Sequence, residues 1–487
     1  MRNTSIGLDV AGLLERVGGV LDPRGIITDA EAIAPWLDDW RGRWHGAAAA
    51  ILAPRSTDEV AAIVKAAAAT RVALVPQGGN TSMVGGATPP PDGSAVILSL
   101  RRMNRVRHLD PEAGLAVAEA GVILADLQAA AEAVDRRFPL TLGARGSATI
   151  GGLVSTNAGG TQVLRWGTMR GLVAGVEAVM ADGSIHDGTT ALKKDNRGYS
   201  LDQLLIGAEG TLGIVTAATL RLAPAIRQRA VAWAAVATPA DGLRLLRRFE
   251  GESDMVESFE LLPAESLAAV LAHIPGTRAP LTGAHPWHVL IEAVSGRLDG
   301  TAPTEMVEGV LASAAADEII ADATIAASEA QGAAFWRIRD SISESERALG
   351  PAVQHDISVP VSAMPTFMID AAKACEARFR GTHASGFGHL GDGNVHFHVR
   401  APAGVDPARW YAEDAPDISR FVHDLVTGAG GSISAEHGIG QMKREELARL
   451  ASPARMMALR AIKQALDPLN ILNPGKLVAL APARPGQ

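Results

Sequence analysis

In TDEVAAIVKAAAATR, residues 57–71, apolar side chains recur at helical spacing, which predicts a helix capped by Thr57. The β-branched run VALVPQ follows it and predicts a short strand entering a glycine loop. VEAVMADGSIHD reads as a hairpin turning at Asp182-Gly183. GTLGIVTAATLRLAP carries on the strand pattern to Pro224, and the charged RQR after it marks an expected domain boundary. Beyond it, AVAWAAVA, WHVLIEAVSG and HFHVR read as strands, and residues 315–348 read as one helical stretch. Residues 444–477 predict a C-terminal helical stretch ended at Pro468, and the N-terminal MRNTSIGLDVAGLLERVGG predicts an amphipathic helix rather than an export leader.

This alternation predicts an α+β protein: an N-terminal domain over 1–225, a domain with an antiparallel sheet and flanking helices over 226–425, and a small helical segment over 426–487. Composition narrows the function. With 47% hydrophobic residues the chain can fill sizeable cores, and a net charge of −8 without a basic stripe argues against nucleic acid as a partner. The longest apolar runs, AAAAILA and AVAWAAVA, have strand length, so no membrane span is expected, and a cytoplasmic enzyme is. Cys375 is the sole cysteine, which excludes an internal disulfide and an all-thiolate metal site; it reads as a buried helical thiol. A bound metal would need His, Asp or Glu.

Four segments before residue 216 are rich in glycine: PQGGNTSMVGG, LGARGSATIGGLVSTNAGG, WGTMRGLVAG and KKDNRGYSLDQLLIGAEGTLGIV. Glycine lets a backbone approach a ligand closely and lets successive N–H groups converge on phosphate oxygens. None of the four matches GxxxxGK[ST], which removes a Walker-type nucleotide site. Each alone reads equally well as a tight turn; three with Asn, Thr and Ser interleaved suit a pyrophosphate and a ribityl chain.

A second cluster lies in SGFGHLGDGNVHFHVR, residues 385–400. His396 and His398 share a strand face, and a turn at Gly391-Asp392-Gly393-Asn394 can fold His389 back beside His396. GSISAEHGIG adds Glu436 and His437. Two imidazoles and a carboxylate suit a catalytic divalent ion with open positions; a turn of hydrogen-bonded imidazoles is the other reading. Arg339, in WRIRDSISES, reads from the sequence as a helix-surface ion pair, and Lys443 as a solvated helix charge.

In this order, and with ILNPGK near the end, the motifs resemble the FAD-dependent D-2-hydroxy-acid dehydrogenases, the D-2-hydroxyglutarate and D-lactate group of the vanillyl-alcohol oxidase superfamily. The resemblance runs from about residue 35 to 477 and implies an FAD-binding domain of two α+β subdomains. It implies Pro76, Gly78, Gly79, Asn80, Thr81, Ser82 and Gly85 around the pyrophosphate. It places Gly146, Ser147, Gly151, Gly152, Ser155, Thr156, Asn157 and Gly159 along the flavin, with Glu209, Gly213, Ile214 and Asn473 as further FAD contacts. Residues 78–86 hold no His or Cys, so FAD is expected to be non-covalent.

The same resemblance implies a divalent ion, Zn2+ ahead of Mn2+ or Fe2+, on His389, His396 and Glu436, with His437 as general base and Arg339, Ser343, Gln354, Asn394 and His398 toward the substrate. Gln354 stands where hydroxyglutarate enzymes carry lysine and His398 where they carry asparagine, which leaves D-lactate or another D-2-hydroxy acid open behind D-2-hydroxyglutarate. His355 or His398 is a candidate to replace the missing positive charge in part. An external electron acceptor, such as an electron-transfer flavoprotein or a quinone, and a homodimer are implied in the same way. A metal-dependent hydrolase and a non-catalytic flavin- or metal-binding module remain as rival expectations.

Overall fold

A computed structural model describes residues 9–480 and divides the chain into two compact units. The first takes residues up to Ala158, then Thr168–Pro224, and everything from His437; the second takes Gly159–Gly167 and Ala225–Glu436. The expected α+β architecture is present. The chain divides between Pro224 and Ala225, but the expected edge at 425/426 falls inside the helix Ala415–Gly428. Residues after Glu436 belong to the first unit.

The first unit holds two larger sheets. In one, Ala48–Leu52 and Ala73–Gln77 flank Ala95–Ser99 in parallel, and Ile26–Ile27 adds an antiparallel edge. The other is antiparallel, in the order Val106–Asp110, Leu115–Glu119, Ile214–Arg221, Val173–Val179, Ile185–Asp187. The helix Thr57–Thr70 buries Val60, Ile63, Val64 and Ala67 against Leu74, Val96 and Leu98, each large side chain contributing about 1.5–3 kcal/mol of transfer free energy. Its cap is Ser56, whose Oγ accepts from the Glu59 N–H at 3.2 Å; Thr57, one residue later, instead donates its hydroxyl to Glu177 Oε1. The C-terminal stretch breaks into Arg444–Leu450 and Pro453–Leu466, because Pro453 cannot donate to a preceding turn and Ser452 caps a new helix. Leu472 then bridges to Leu74, which returns the chain end to the parallel sheet.

In the second unit, seven antiparallel strands run in the order Asp322–Ile325, Gln228–Val236, Trp287–Ser295, Val256–Pro263, His383–His389, Asn394–Arg400, Ala352–Ser358. The long helix expected over 315–348 does not exist. Pro303–Ala316 ends, Glu318 takes φ 56°, and residues 322–325 pair along Gln228–Val236 before Ser328 caps Glu329–Asp340. Pairing at a sheet edge outweighs the helical propensity of the alanines.

One sheet face packs Phe259, Ile291, Ile357, Phe397 and Val399 against the helices Pro239–Glu252, Pro303–Ala316, Met364–Arg378 and Ala415–Gly428. Cys375 is fully buried in this core, where desolvation pushes its thiol up to about 12. The other face packs Val231, Trp233, Leu262, Leu290 and Phe387 under Phe335, Ile338 and Ile342, and beside them carries the polar positions Glu260, His389, His396, His398, Gln354 and Asp356. Among the described residues no helix is long and apolar enough to cross a membrane.

Candidate functional site

The histidine hairpin forms as its pattern requires. His383–His389 and Asn394–Arg400 pair with His389 opposite Asn394, Phe387 opposite His396 and Ser385 opposite His398. Side chains paired across antiparallel strands share a face. Gly393, at φ 80°, permits the turn, since a Cβ there would lie 2.1 Å from the Val359 carbonyl. The imidazoles of His389 and His396 stand 5.4 Å apart, and one donor atom from each lies within 4.8 Å of the other and of a Glu436 carboxylate oxygen. The three expected ligands therefore come together, and their donor set fits a divalent ion.

Three acids that sequence reasoning missed organise this face. Glu260, buried and opposite His389 in the register, accepts from His389 Nδ1 at 2.6 Å and from Arg339 Nε at 2.8 Å. Burial alone would raise its pKa, but the charges of Arg339 and then His389 hold it well below the usual carboxylate range. Asp356, opposite His396, accepts from Asn394 Nδ2 and from the Glu436 N–H, both at 2.9 Å. Glu346 accepts from His398 Nδ1. Burial, and next the Asp356 charge, push the Glu436 carboxyl up to about 7. Burial, then the charges of His389 and Arg339, push His396 well below its ordinary value. The missed signal was a charged residue inside a strand, Glu260 in VESFELLP and Asp356 in AVQHDIS, at the parity that alternates with the apolar Phe259 and Leu261 or with Ile357.

The remaining expected substrate contacts separate. Arg339 reaches the face, tied to Glu260, with Nη2 3.1 Å from His389 Nε2, so a buried ion pair replaces the expected surface alternative. Gln354 lies opposite His398 on the polar face. Asn394 is buried beside Asp356, its Oδ1 without a hydrogen-bond partner. Ser343 is exposed on the helix Ile342–Arg347, whose buried Glu346 makes the contact instead. His355 cannot supply the missing cation, because it points to the opposite face, where its ring nitrogens meet the Phe397 carbonyl and Ser419 Oγ. Lys443 is buried in the first unit, not solvated.

The glycine loops meet within the first unit. A Cβ on Gly79 would lie 1.8 Å from the Ser147 carbonyl oxygen, and one on Gly78 would lie 2.1 Å from Thr149 Oγ1, so these loops pack backbone to backbone. Gly146 has open space in its Cβ direction. The buried Oγ1 of Thr149 and Oδ1 of Asn80 and Asn473 have no hydrogen-bond partner among the described residues; the hydroxyl can donate to a phosphate oxygen and the two amide oxygens can accept from sugar or ribityl hydroxyls, a lining that fits a flavin nucleotide. Asn80 takes φ 53° and donates Nδ2 to the Asp38 carbonyl. Ser82 Oγ accepts from the Gly86 N–H, and Gly85 takes φ 66°. Thr81, Ser147, Gly152 and Ser155 retain at least partial exposure on these loops, and Pro76 is the penultimate residue of the strand Ala73–Gln77 leading in.

Several expected FAD contacts have other duties. Gly151 packs on Ala120, Gly213 on Leu205, and Ile214 sits in the first-unit core. Thr156 bonds back to Gly152, while Asn157 Oδ1 accepts from Thr168 Oγ1 and the Arg170 N–H. Gly159 opens the segment that packs in the second unit, where Ser258 Oγ donates to the Thr161 carbonyl and Trp166 Nε1 to Glu257. Glu209 and Asn473 bind each other's segments, with Asn473 Nδ2 donating to the carbonyls of Gly86 and Glu209 at 3.0 and 2.8 Å.

Residues 48–189 match the FAD binding domain family, and residues 226–477 match the C-terminal domain of the FAD linked oxidases. The chain is 36% identical over 467 residues to the mitochondrial D-2-hydroxyglutarate dehydrogenase of Arabidopsis thaliana, covering 94% of this chain and 80% of that protein. It is 34% identical over 475 residues to the D-2-hydroxyglutarate dehydrogenase of Stutzerimonas stutzeri, covering 96% and 99%. It is also 34% identical over 457 residues to a D-2-hydroxyglutarate–pyruvate transhydrogenase of Saccharomyces cerevisiae, covering 92% and 90%. Among solved structures it shares its fold with p-cresol methylhydroxylase, with a TM-score of 0.73 at 15% identity, covering 96% and 97% of the two chains. Alkyldihydroxyacetonephosphate synthase gives 0.72 at 17%, covering 95% and 84%. The profile of two flavin-oxidase domains in this order, shared over nearly the whole length with these relatives, makes the chain a member of the FAD linked oxidase family, in its D-2-hydroxyglutarate dehydrogenase group.

Proposed function

We propose that this flavoprotein oxidises D-2-hydroxyglutarate to the 2-oxo acid, using non-covalent FAD and a divalent ion. The observation that carries the reading is the joint convergence of His389, His396 and Glu436 on one sheet face of a chain whose relatives are D-2-hydroxyglutarate dehydrogenases. FAD, when bound, supplies a hydride acceptor, and the ion, zinc before manganese or iron, supplies Lewis acidity toward a substrate oxygen. Glu260 accepts from His389 Nδ1, which leaves Nε2 as the nitrogen that would hold the ion once it gives up its own proton. Arg339 binds the substrate carboxylate, its guanidinium held by Glu260. His437, the residue after Glu436 in the chain, accepts the hydroxyl proton as the Cα–H bond breaks; without that proton transfer, hydride loss would leave positive charge on carbon.

Gln354 and His398 face the substrate tail, and an external acceptor takes the electrons. D-lactate is the second substrate reading, favoured by the absence of lysine at position 354. Membership in an oxidase family displaces the hydrolase alternative. Anaerobic mixing of the FAD-loaded protein with each acid tests the proposal. D-2-hydroxyglutarate should bleach the flavin faster than D-lactate, and the L isomers should not bleach it. For His437→Ala, flavin and metal content should stay while bleaching slows by about three orders of magnitude or more. Ordinary bleaching in that variant removes His437 as the base.

A further inference from the structure

The turn that follows His437 is gripped by a carboxylate. Glu209 lies between the helix Leu201–Leu205 and the strand Ile214–Arg221, and takes φ 52°, a left-handed backbone that costs a non-glycine residue about 1–2 kcal/mol. Four hydrogen bonds offset that strain. Its N–H donates to the Ser155 carbonyl at 2.8 Å, and its own carbonyl accepts from Asn473 Nδ2 at 2.8 Å. Its Oε1 accepts from the Ile439 N–H and its Oε2 from the Gly440 N–H, each at 2.7 Å.

Gly438 at φ 80° and Gly440 at φ 53° give this turn the concave shape in which successive N–H groups converge on an anion. The anion here is the chain's own. The fit has little slack, because a Cβ on Gly438 would lie 3.0 Å from Glu209 Oε1 and one on Gly440 would lie 2.3 Å from the Val84 carbonyl oxygen. The side chain is buried at 8% exposure, with the charges of Lys443 and Lys476 near it, and its two oxygens accept from the N–H groups of Ile439 and Gly440, which begin two residues after His437.

We propose that Glu209 is a positioning residue for His437: its carboxylate fixes the 438–440 backbone and thereby the direction of the imidazole. This rests on the reading of His437 as the base. The amide of Glu209→Gln keeps the volume but can accept only one of the two N–H groups and turns a donor on the other.

The test is a double-mutant cycle on the FAD-loaded, full-length protein, following anaerobic flavin reduction by D-2-hydroxyglutarate across pH. Glu209→Gln should keep its flavin content and its half-saturating substrate concentration, and lower the limiting reduction rate about 10- to 100-fold. In the His437→Ala background, Glu209→Gln should cause no further loss, since it acts through the missing side chain. Glu209→Asp, which keeps the charge, should recover part of the rate. A full additional loss in the His437→Ala background, or release of FAD from Glu209→Gln, overturns the proposal in favour of a cradle role. Wild-type reduction by Glu209→Gln overturns it outright. Wild-type reduction by His437→Ala instead brings down the base assignment itself, which separates the two failures.

Discussion

Glu260 and His389 sit directly opposite one another on adjacent antiparallel strands, with Nδ1 of the imidazole 2.6 Å from Oε1 of the carboxylate. An ionised carboxylate only accepts, so Nδ1 carries a hydrogen toward it; burial opposes a charge on the ring, but the charge of Glu260 pushes the imidazole up to about 9, and Arg339 Nη2 lies 3.1 Å from Nε2. Glu260→Gln removes the charge that stabilises this arrangement. Metal affinity should fall about 10- to 100-fold, measured by competition with a chromogenic chelator. Unchanged affinity would show that the orientation of His389 does not depend on Glu260.

His389 and His398 lie on one sheet face, yet their expected roles differ. His389 belongs to the three-residue ligand group, whereas His398 Nδ1 is engaged by Glu346. His389→Ala should lose the ion and His398→Ala should keep it, with elemental analysis of the purified proteins as the measurement. Loss of metal in both variants would mean the ligand set is drawn wrongly.

The contrast between these histidines shows how far the sequence reached. Period-two alternation placed His396 and His398 on one face, and the glycine turn brought His389 back beside His396, because both rules are local. Glu260 and Asp356 escaped notice because strand neighbours are chosen by long-range pairing, and nothing near VESFELLP says that it lies beside the histidine strand. The strand Asp322–Ile325 was hidden for the same reason: its partner is more than eighty residues away, while its local alanines favour helix. Glycine counts likewise marked these loops without separating glycines with open space beside them, such as Gly146, from packing glycines such as Gly151.

That separation can be tested at Gly79. An alanine there would place Cβ 1.8 Å from the Ser147 carbonyl oxygen, a distance no contact tolerates, and backbone cannot swing aside as a side chain can. The two loops must part. Gly79→Ala should purify with about tenfold less flavin per chain, read from its absorbance after gel filtration. Gly146→Ala, whose Cβ meets open space, should fold without strain and report only on ligand contact. Full flavin content in Gly79→Ala would mean that contact between these loops is dispensable for the cofactor.

Acid should weaken the second unit through a histidine outside the metal face. His288 is buried on the strand Trp287–Ser295, where its Nδ1 accepts from Trp233 Nε1 at 3.1 Å. Burial, and next the neighbouring His285, push it down to about 4 from the ordinary 6.5. Between those values the unfolded chain takes up a proton that the folded one refuses. The stability associated with neutral His288 is therefore present above pH 6.5 and is lost as pH falls toward 4, by about 3 kcal/mol in all. Gln at this position accepts from the same indole N–H and does not titrate. The urea midpoint of wild type should fall relative to that of His288→Gln as pH is lowered through this window, and the two curves should run parallel above pH 7. Parallel curves throughout would mean that burial does not shift His288 and that it titrates alike in the folded and unfolded chain.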